Sequence, residues 1–208
     1  MMKGFASLPG AAMSSSVDRL LAEIRACRIC EAHLPLGPRP VLQASADARI
    51  LVVSQAPGRK VHETGIPFND ISGRRLREWM GVDDTVFYDR RRVAIVPMGF
   101  CFPGTGKGGD LPPRPECAPT WHPRLLPRLT QLQLTLAIGH YAIKGMLGKR
   151  RRRTLTDTVR AWREYVDDGV LPLPHPSPRN QMWLKRNPWF AAELLPELRR
   201  RVAHALDG

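Results

Sequence analysis

The chain has 208 residues, 43% of them apolar, enough at this length to bury roughly 70% of the surface that the unfolded chain exposes. Its apolar runs, such as Ile50 to Val53 and Leu132 to Ile138, fall far short of the roughly 18 to 20 residues that cross a bilayer, which excludes a membrane span. Lys plus Arg number 32 against 19 Asp plus Glu, a net charge of +13 that points to a polyanionic partner; an arginine-rich composition that only solvates the surface is the alternative.

Residues 1–15 hold one lysine and no sustained apolar stretch, so they read as a loose tail rather than a secretory leader. Residues 16–208 read as one domain of a monomeric, cytoplasmic protein. Ser16 can cap a helix in which Val17, Leu20, Leu21 and Ile24 recur at helical spacing, ending near Cys27 and Cys30. Arg49 to Ser54 is a short β-rich run that stops at Gln55-Ala56-Pro57-Gly58, the pattern of a buried strand emptying into a tight loop. A helix is predicted from near Ser72 through Leu76 and Trp79. Arg92 to Val96, Leu132 to Ile138 and Val170 to Leu173 give three more buried strands, with helical patterns at Tyr141 to Leu147 and Asp157 to Tyr165. A final helix is predicted with Asn187 as cap and Pro188 in its first turn, continuing to about Ala205. The basic run Lys149 to Arg153 and the Gly-rich stretch Pro103 to Gly109 are the biased segments.

Strands alternating with helices imply an α/β fold, a three-layer α/β/α arrangement with a mainly parallel central sheet of about four strands. In such folds functional groups gather beyond the carboxyl ends of the strands. Those ends carry Gln55 to Gly58, Pro97 to Cys101, Gly139-His140 and Pro174 to Ser177, so four separated segments are expected to converge on one crevice. The four cysteines form a CxxC at Cys27 and Cys30 and a C-x15-C at Cys101 and Cys117. In a chain of this kind they are ligands or catalysts rather than disulfide partners.

SQAPG after the first strand, GIPF a few residues later, the two cysteine spacings and HPSP after the last strand together resemble the uracil-DNA glycosylase superfamily, and within it the iron-sulfur members, families four and five. The resemblance runs from about Cys27 to Arg201. It implies a DNA glycosylase that hydrolyses the N-glycosidic bond of uracil, or of another deaminated base, and so initiates base excision repair. It also implies that Cys27, Cys30, Cys101 and Cys117 hold a [4Fe-4S] cluster, since thiolates suit iron-sulfur centres. A four-cysteine zinc site satisfies the same count and stays open as the alternative. Either metal would be structural.

By the same resemblance the loop Gln55, Ala56, Pro57 and Gly58 lies beside the sugar and the extruded base. The superfamily often places an acid second or third in this loop, whereas Gln55 and Ala56 stand there, so Gln55 is left to orient water or the base. Asp70 in the GIPFNDISG segment is then the best candidate carboxylate, with a cap ahead of the helix at Ser72 as its structural alternative. Phe68 fits the ring that stacks on the base, or an ordinary core aromatic. His175, in a loop stiffened by flanking prolines, is expected to hydrogen-bond the departing base, with Ser177, Arg179 and Asn180 following it into the minor groove. Arg179 or Met182 could fill the gap left by the nucleotide. Backbone amides of Gly58, Ser72 and Ser177, with Arg59, Arg74 and Arg75, are candidate phosphate binders, and Lys149 to Arg153 either touches the DNA backbone or forms a solvated loop. The asparagine that reads the uracil edge in families one and four falls near Pro97, which has no donor, so the resemblance implies a less selective pocket. Two other classes remain open: damaged-DNA binding without catalysis by the same fold, and a zinc-containing nucleic-acid-binding module.

Overall fold

The computed structural model describes residues 16–207; the tail expected at 1–15 lies outside them. Helix α1 (Ser16–Arg25) buries Val17, Leu20, Leu21 and Ile24, the apolar stripe that its spacing dictates. Strand β1 (Ile50–Val53) is buried at all four residues. Beyond it come α2 (Arg59–Thr64), ended by Gly65 in the left-handed region, and α3 (Ile71–Met80), ended the same way by Gly81. Asp83 caps α4 (Asp84–Tyr88), which leads into β2 (Val93–Ile95). A hairpin of β3 (Thr105–Gly106) and β4 (Gly109–Asp110) precedes α5 (Cys117–Leu125) and β5 (Leu134–Ile138). The remainder is α6 (Gly139–Leu147), α7 (Leu155–Arg160), α8 (Arg163–Val166), β6 (Val170–Leu173), α9 (Gln181–Arg186) and α10 (Leu195–Asp207).

Four of the strands make one parallel sheet in the order β2-β1-β5-β6, with Ile50 opposite Val93 on one side and Leu134 on the other. The chain leaves β1 towards β2 and leaves β5 towards β6, in opposite directions, so the topological switch point falls between β1 and β5. Right-handed crossovers then place α3 on one face and α6 on the other. Helix α10 packs on β1, β5 and α3, and α6 packs on β5 and β6. This is the expected three-layer α/β/α fold. Helices on both faces are why the strands read as unbroken apolar runs instead of alternating ones. The outer edge of β2 is covered by Gln43, whose backbone exchanges hydrogen bonds with Ile95 and whose side-chain amide donates to the carbonyls of Phe87 and Val93. At the other edge β6 carries Pro172, a residue that edge strands tolerate.

Two expectations change, and one open alternative gains support. The single helix predicted over 157–165 is two short helices, α7 and α8, broken at Ala161 and Trp162; burial continues at the same spacing across the break, so the pattern conceals it. The final helix starts at Trp189 rather than Asn187 and takes a π-helical turn over Phe190–Leu194. Pro196 has no N–H for the Ala192 carbonyl, which interrupts the regular ladder where that turn forms. The basic run after α6 sits at the edge of the sheet opposite the strand carboxyl ends, because α6 starts at that end of β5 and runs back. There Arg150 pairs with Asp168 and Arg152 with Glu164, which favours the solvated reading of the run Lys149 to Arg153. Among the described residues no helix is long and apolar enough to cross a membrane.

His122 on α5 is buried and its Nε2–H donates to the Pro97 carbonyl oxygen at 3.0 Å. Burial holds its pKa below the ordinary histidine value, with that hydrogen bond opposing. The folded chain thus resists a proton that the unfolded chain accepts near about pH 6.5, so stability is full above that value and declines below it. The melting temperature is expected to fall between about pH 7.5 and about pH 5.5. His122→Gln, which keeps a donor but cannot titrate, should shrink the fall; an equal fall in this variant would remove His122 as its source.

Candidate active site

Beyond the carboxyl ends of the strands lies a cavity of about 260 Å³. Its walls come from the loop after β1 (Ala56, Pro57, Gly58), from the approach to α3 and its first turn (Phe68, Asp70, Ser72), from Pro97 after β2, from Asp110 on β4, and from His175, Ser177 and Arg179 after β6. Three of the four expected segments therefore converge; the segment after β5, Gly139-His140, is not in the lining, although a Cβ added at Gly139 would lie 3.5 Å from the His175 Cβ.

Phe68 has φ +53°, the left-handed region, where a non-glycine residue is strained by about 1 to 3 kcal/mol. Several contacts hold it there. Its carbonyl oxygen accepts from the Tyr88 hydroxyl and the Arg77 guanidinium, both at 3.4 Å. Its ring meets Phe87 edge-on at 6.1 Å, and its carbonyl lies directly over Gly73, where a Cβ would overlap it. Phe68 is thus both a core aromatic and a cavity wall. Asp70 likewise has two places in the structure. One carboxylate oxygen caps α3, accepting from the Gly73 N–H at 2.8 Å, and the residue also lines the cavity.

His175 is half-buried. The backbone N–H of Ser177 donates to its Nδ1 at 3.2 Å, so in the neutral ring Nε2 carries the proton and is the donor. Burial lowers its pKa, against the raising influence of Asp70 and then Asp110, and the ring is neutral at neutral pH. Its loop is held twice more: the Asn180 side-chain amide donates to the His175 carbonyl at 2.7 Å, and the Arg75 guanidinium donates to the carbonyls of Pro176 and Ser177. These bonds revise several sequence assignments. The Ser177 amide serves His175 rather than phosphate, Arg75 supports the loop, and Asn180 lies behind it instead of lining the cavity.

Gln55 is also outside the lining; its side-chain amide donates to the Leu111 carbonyl at 2.9 Å. Arg179 lines the cavity, and its guanidinium donates to the Gly108 carbonyl at 2.9 Å; Met182 is exposed (56%). Arg59 stacks over Phe102 at 5.6 Å, and Arg74 is exposed. The residue that sequence reasoning missed is Asp110. It lies in a Gly-rich stretch with no apolar pattern to reveal a hairpin, and the only local signal was an acid among glycines.

Cys27, Cys30, Cys101 and Cys117 all line a second, smaller cavity and none is in a disulfide. Burial pushes the Cys101 thiol up to about 11 and the Cys117 thiol up to about 12, and in each case facing thiols add to the rise. Among the described residues no three His, Cys, Asp or Glu side chains stand close enough to hold a single metal ion. Two donors face the same cavity. The Phe100 N–H donates to Cys117 Sγ at 3.3 Å, and the Arg114 Nε is buried without a partner.

Gly73→Ala tests the Phe68 arrangement. Alanine in a helix interior ordinarily stabilises by about 0.5 to 1 kcal/mol relative to glycine. Here the added Cβ must displace the Phe68 carbonyl, so a loss on the order of 1 to 3 kcal/mol is expected in urea unfolding; a gain would show that this contact does not fix Phe68.

In comparison with known protein families, residues 42–199 match the Uracil DNA glycosylase superfamily. The match covers well over half of the chain and takes in the cavity walls from the loop after β1 to the His175 loop, and the protein belongs to that superfamily.

Proposed function

We propose that this glycosylase-type hydrolase cleaves the N-glycosidic bond of uracil, and of other deaminated bases, in DNA, opening base excision repair. The observation that carries the reading is a carboxylate, Asp70, and a neutral histidine donor, His175, on one cavity whose wall is the held ring of Phe68. A base inside a duplex cannot reach such a cavity, so the nucleotide must leave the stack at a cost of a few kcal/mol. Stacking of the extruded base on Phe68 offsets part of that cost. As the bond from C1′ to the base breaks, positive charge grows on the sugar and negative charge on the base. The Asp70 oxygen not used in capping α3 stabilises the first, and the His175 Nε2–H stabilises the second by donating to a base carbonyl. Pro97 stands at the wall without a donor, and its carbonyl is engaged by His122, which supports a pocket that admits several deaminated bases.

Asp70→Asn and His175→Ala should each lower single-turnover base release on the order of a hundredfold or more, with binding to the same oligonucleotide retained. The panel carries uracil, hypoxanthine and xanthine, scored for abasic sites. Binding of all three by the unaltered protein without release of any would replace the reading with damaged-DNA binding.

We further propose a [4Fe-4S] cluster on Cys27, Cys30, Cys101 and Cys117, supported by the common cavity and by the two donors that face it. When bound, such a cluster supplies a structural cross-link; the four cysteines would thereby tie the segment after α1 to the segment after β2 and to the start of α5. Anaerobically purified protein is expected to be brown and to contain iron and acid-labile sulfide in equal amounts. Stoichiometric zinc without iron would overturn the assignment.

A further inference from the structure

The loop after β1 contains no acid, yet a carboxylate stands beside it. Strand β4 carries Asp110 to the cavity wall, and its Oδ2 lies so near Gly58 that a Cβ on that glycine would be 3.2 Å away. Asp110 and Asp70 reach the same cavity from different segments. They differ in what else they hold: one Asp70 oxygen accepts the α3 cap bond at 2.8 Å, whereas among the described residues the hydrogen bond that Asp110 accepts is a long one, 3.4 Å, from the Thr105 hydroxyl at Oδ1. Asp110 keeps more lone-pair capacity for a proton from outside.

The hairpin that carries it has strands of two residues each, too little to hold a position unaided. It is fastened from both ends of the site. The Leu111 N–H donates to the Gly104 carbonyl at 2.9 Å, the Gln55 amide donates to the Leu111 carbonyl at 2.9 Å, and the Arg179 guanidinium donates to the Gly108 carbonyl at 2.9 Å. Gly109, at φ +126°, leaves room for that guanidinium, which a Cβ would overlap. Side chains from the loop after β1 and from the loop after β6 thus converge on a hairpin whose chemically active contribution to the cavity is one carboxylate.

We propose that Asp110 is a catalytic residue that accepts the proton of the attacking water, and that Gln55 and Arg179 are positioning residues that hold its hairpin. The inference rests on the glycosylase reading. In the step, one water O–H bond breaks and its proton passes to the Asp110 carboxylate while the water oxygen bonds to C1′. The bond from C1′ to the base breaks, and its electron pair leaves with the base, which accepts a hydrogen bond from His175. The proton held by Asp110 then passes through solvent to the base anion, which restores the carboxylate, so that water and the nucleotide yield an abasic sugar and a free base with no further reactant.

The test is single-turnover base release from a uracil-containing oligonucleotide. Asp110→Asn, nearly isosteric and on an exposed hairpin, should keep the melting temperature and DNA binding and lose rate on the order of a hundredfold or more. In Asp110→Ala, added formate should restore a measurable part of the lost rate by standing in for the carboxylate, which a structural role would not allow. Gln55→Ala and Arg179→Ala should lower the rate less, and should add almost nothing in an Asp110→Asn background, the non-additivity expected of residues acting through one group. Asp110→Asn within about threefold of the unaltered protein, or Asp110→Ala unmoved by formate, would overturn the role of Asp110 and leave the glycosylase reading standing. Unaltered protein that releases no base from the panel would overturn that reading and the role of Asp110 with it.

Discussion

Because β1 pairs in parallel with β2 on one side and β5 on the other, successive strands must be joined by crossovers that bring the chain back to the same starting edge. Every strand of that sheet therefore ends at the same opposite edge. The reversal of winding between β1 and β5 parts the connecting segments there, and the cavity occupies the gap. The order of the motifs along the chain, and their spacing of several tens of residues, follow from that pairing. So does the placement of the basic run: a segment that follows α6 must return to the starting edge, where Asp168 and Glu164 pair with it.

The cavity is a place where local rules are broken and the neighbourhood compensates. The left-handed Phe68 costs about 1 to 3 kcal/mol, which a single helix cap of about 1 kcal/mol does not offset across that range. The edge-on contact with Phe87, worth about 0.5 to 1.5 kcal/mol, adds to it, as do the hydrogen bonds from Tyr88 and Arg77 at about 1 kcal/mol each. At 3.4 Å each of those two bonds is long and gives less than that, so the packing of Phe68 and the cap carry most of the compensation. Asp70 belongs to both sides of this balance, since its cap bond to Gly73 fixes the turn on which Phe68 sits.

How much of this the sequence discloses depends on the range of the interaction. Ile50 to Val53 and Leu134 to Ile138 announce themselves because a strand buried on both faces must be apolar throughout, and α1 because its stripe at Val17, Leu20, Leu21 and Ile24 repeats locally. The site residues that line the cavity, Asp70 and His175 foremost, lie at strand or helix ends marked by glycine and proline. Gln55 and Arg179 are different. Their positions are legible, but their partners, the Leu111 and Gly108 carbonyls, lie 56 and 71 residues away in the chain, and no local pattern pairs a side chain with a distant backbone atom. Asp110 was hidden for the same reason: a two-residue strand has no periodicity, and what places it is the grip of two other loops.

The charges around His175 combine these constraints. Burial disfavours the imidazolium, while Asp70 and Asp110 favour it, and burial prevails. Had the carboxylates prevailed, the charged ring would have neutralised them and drawn both away from the sugar. It would also have put a proton on Nδ1, against the N–H that Ser177 directs there. In the proposed reaction a neutral ring leaves the acids uncompensated where cationic character would develop, and still offers Nε2–H where the departing base would gather negative charge. The separation of charge that the proposed cleavage requires would thus be set in the resting cavity by the burial of one histidine and one backbone N–H.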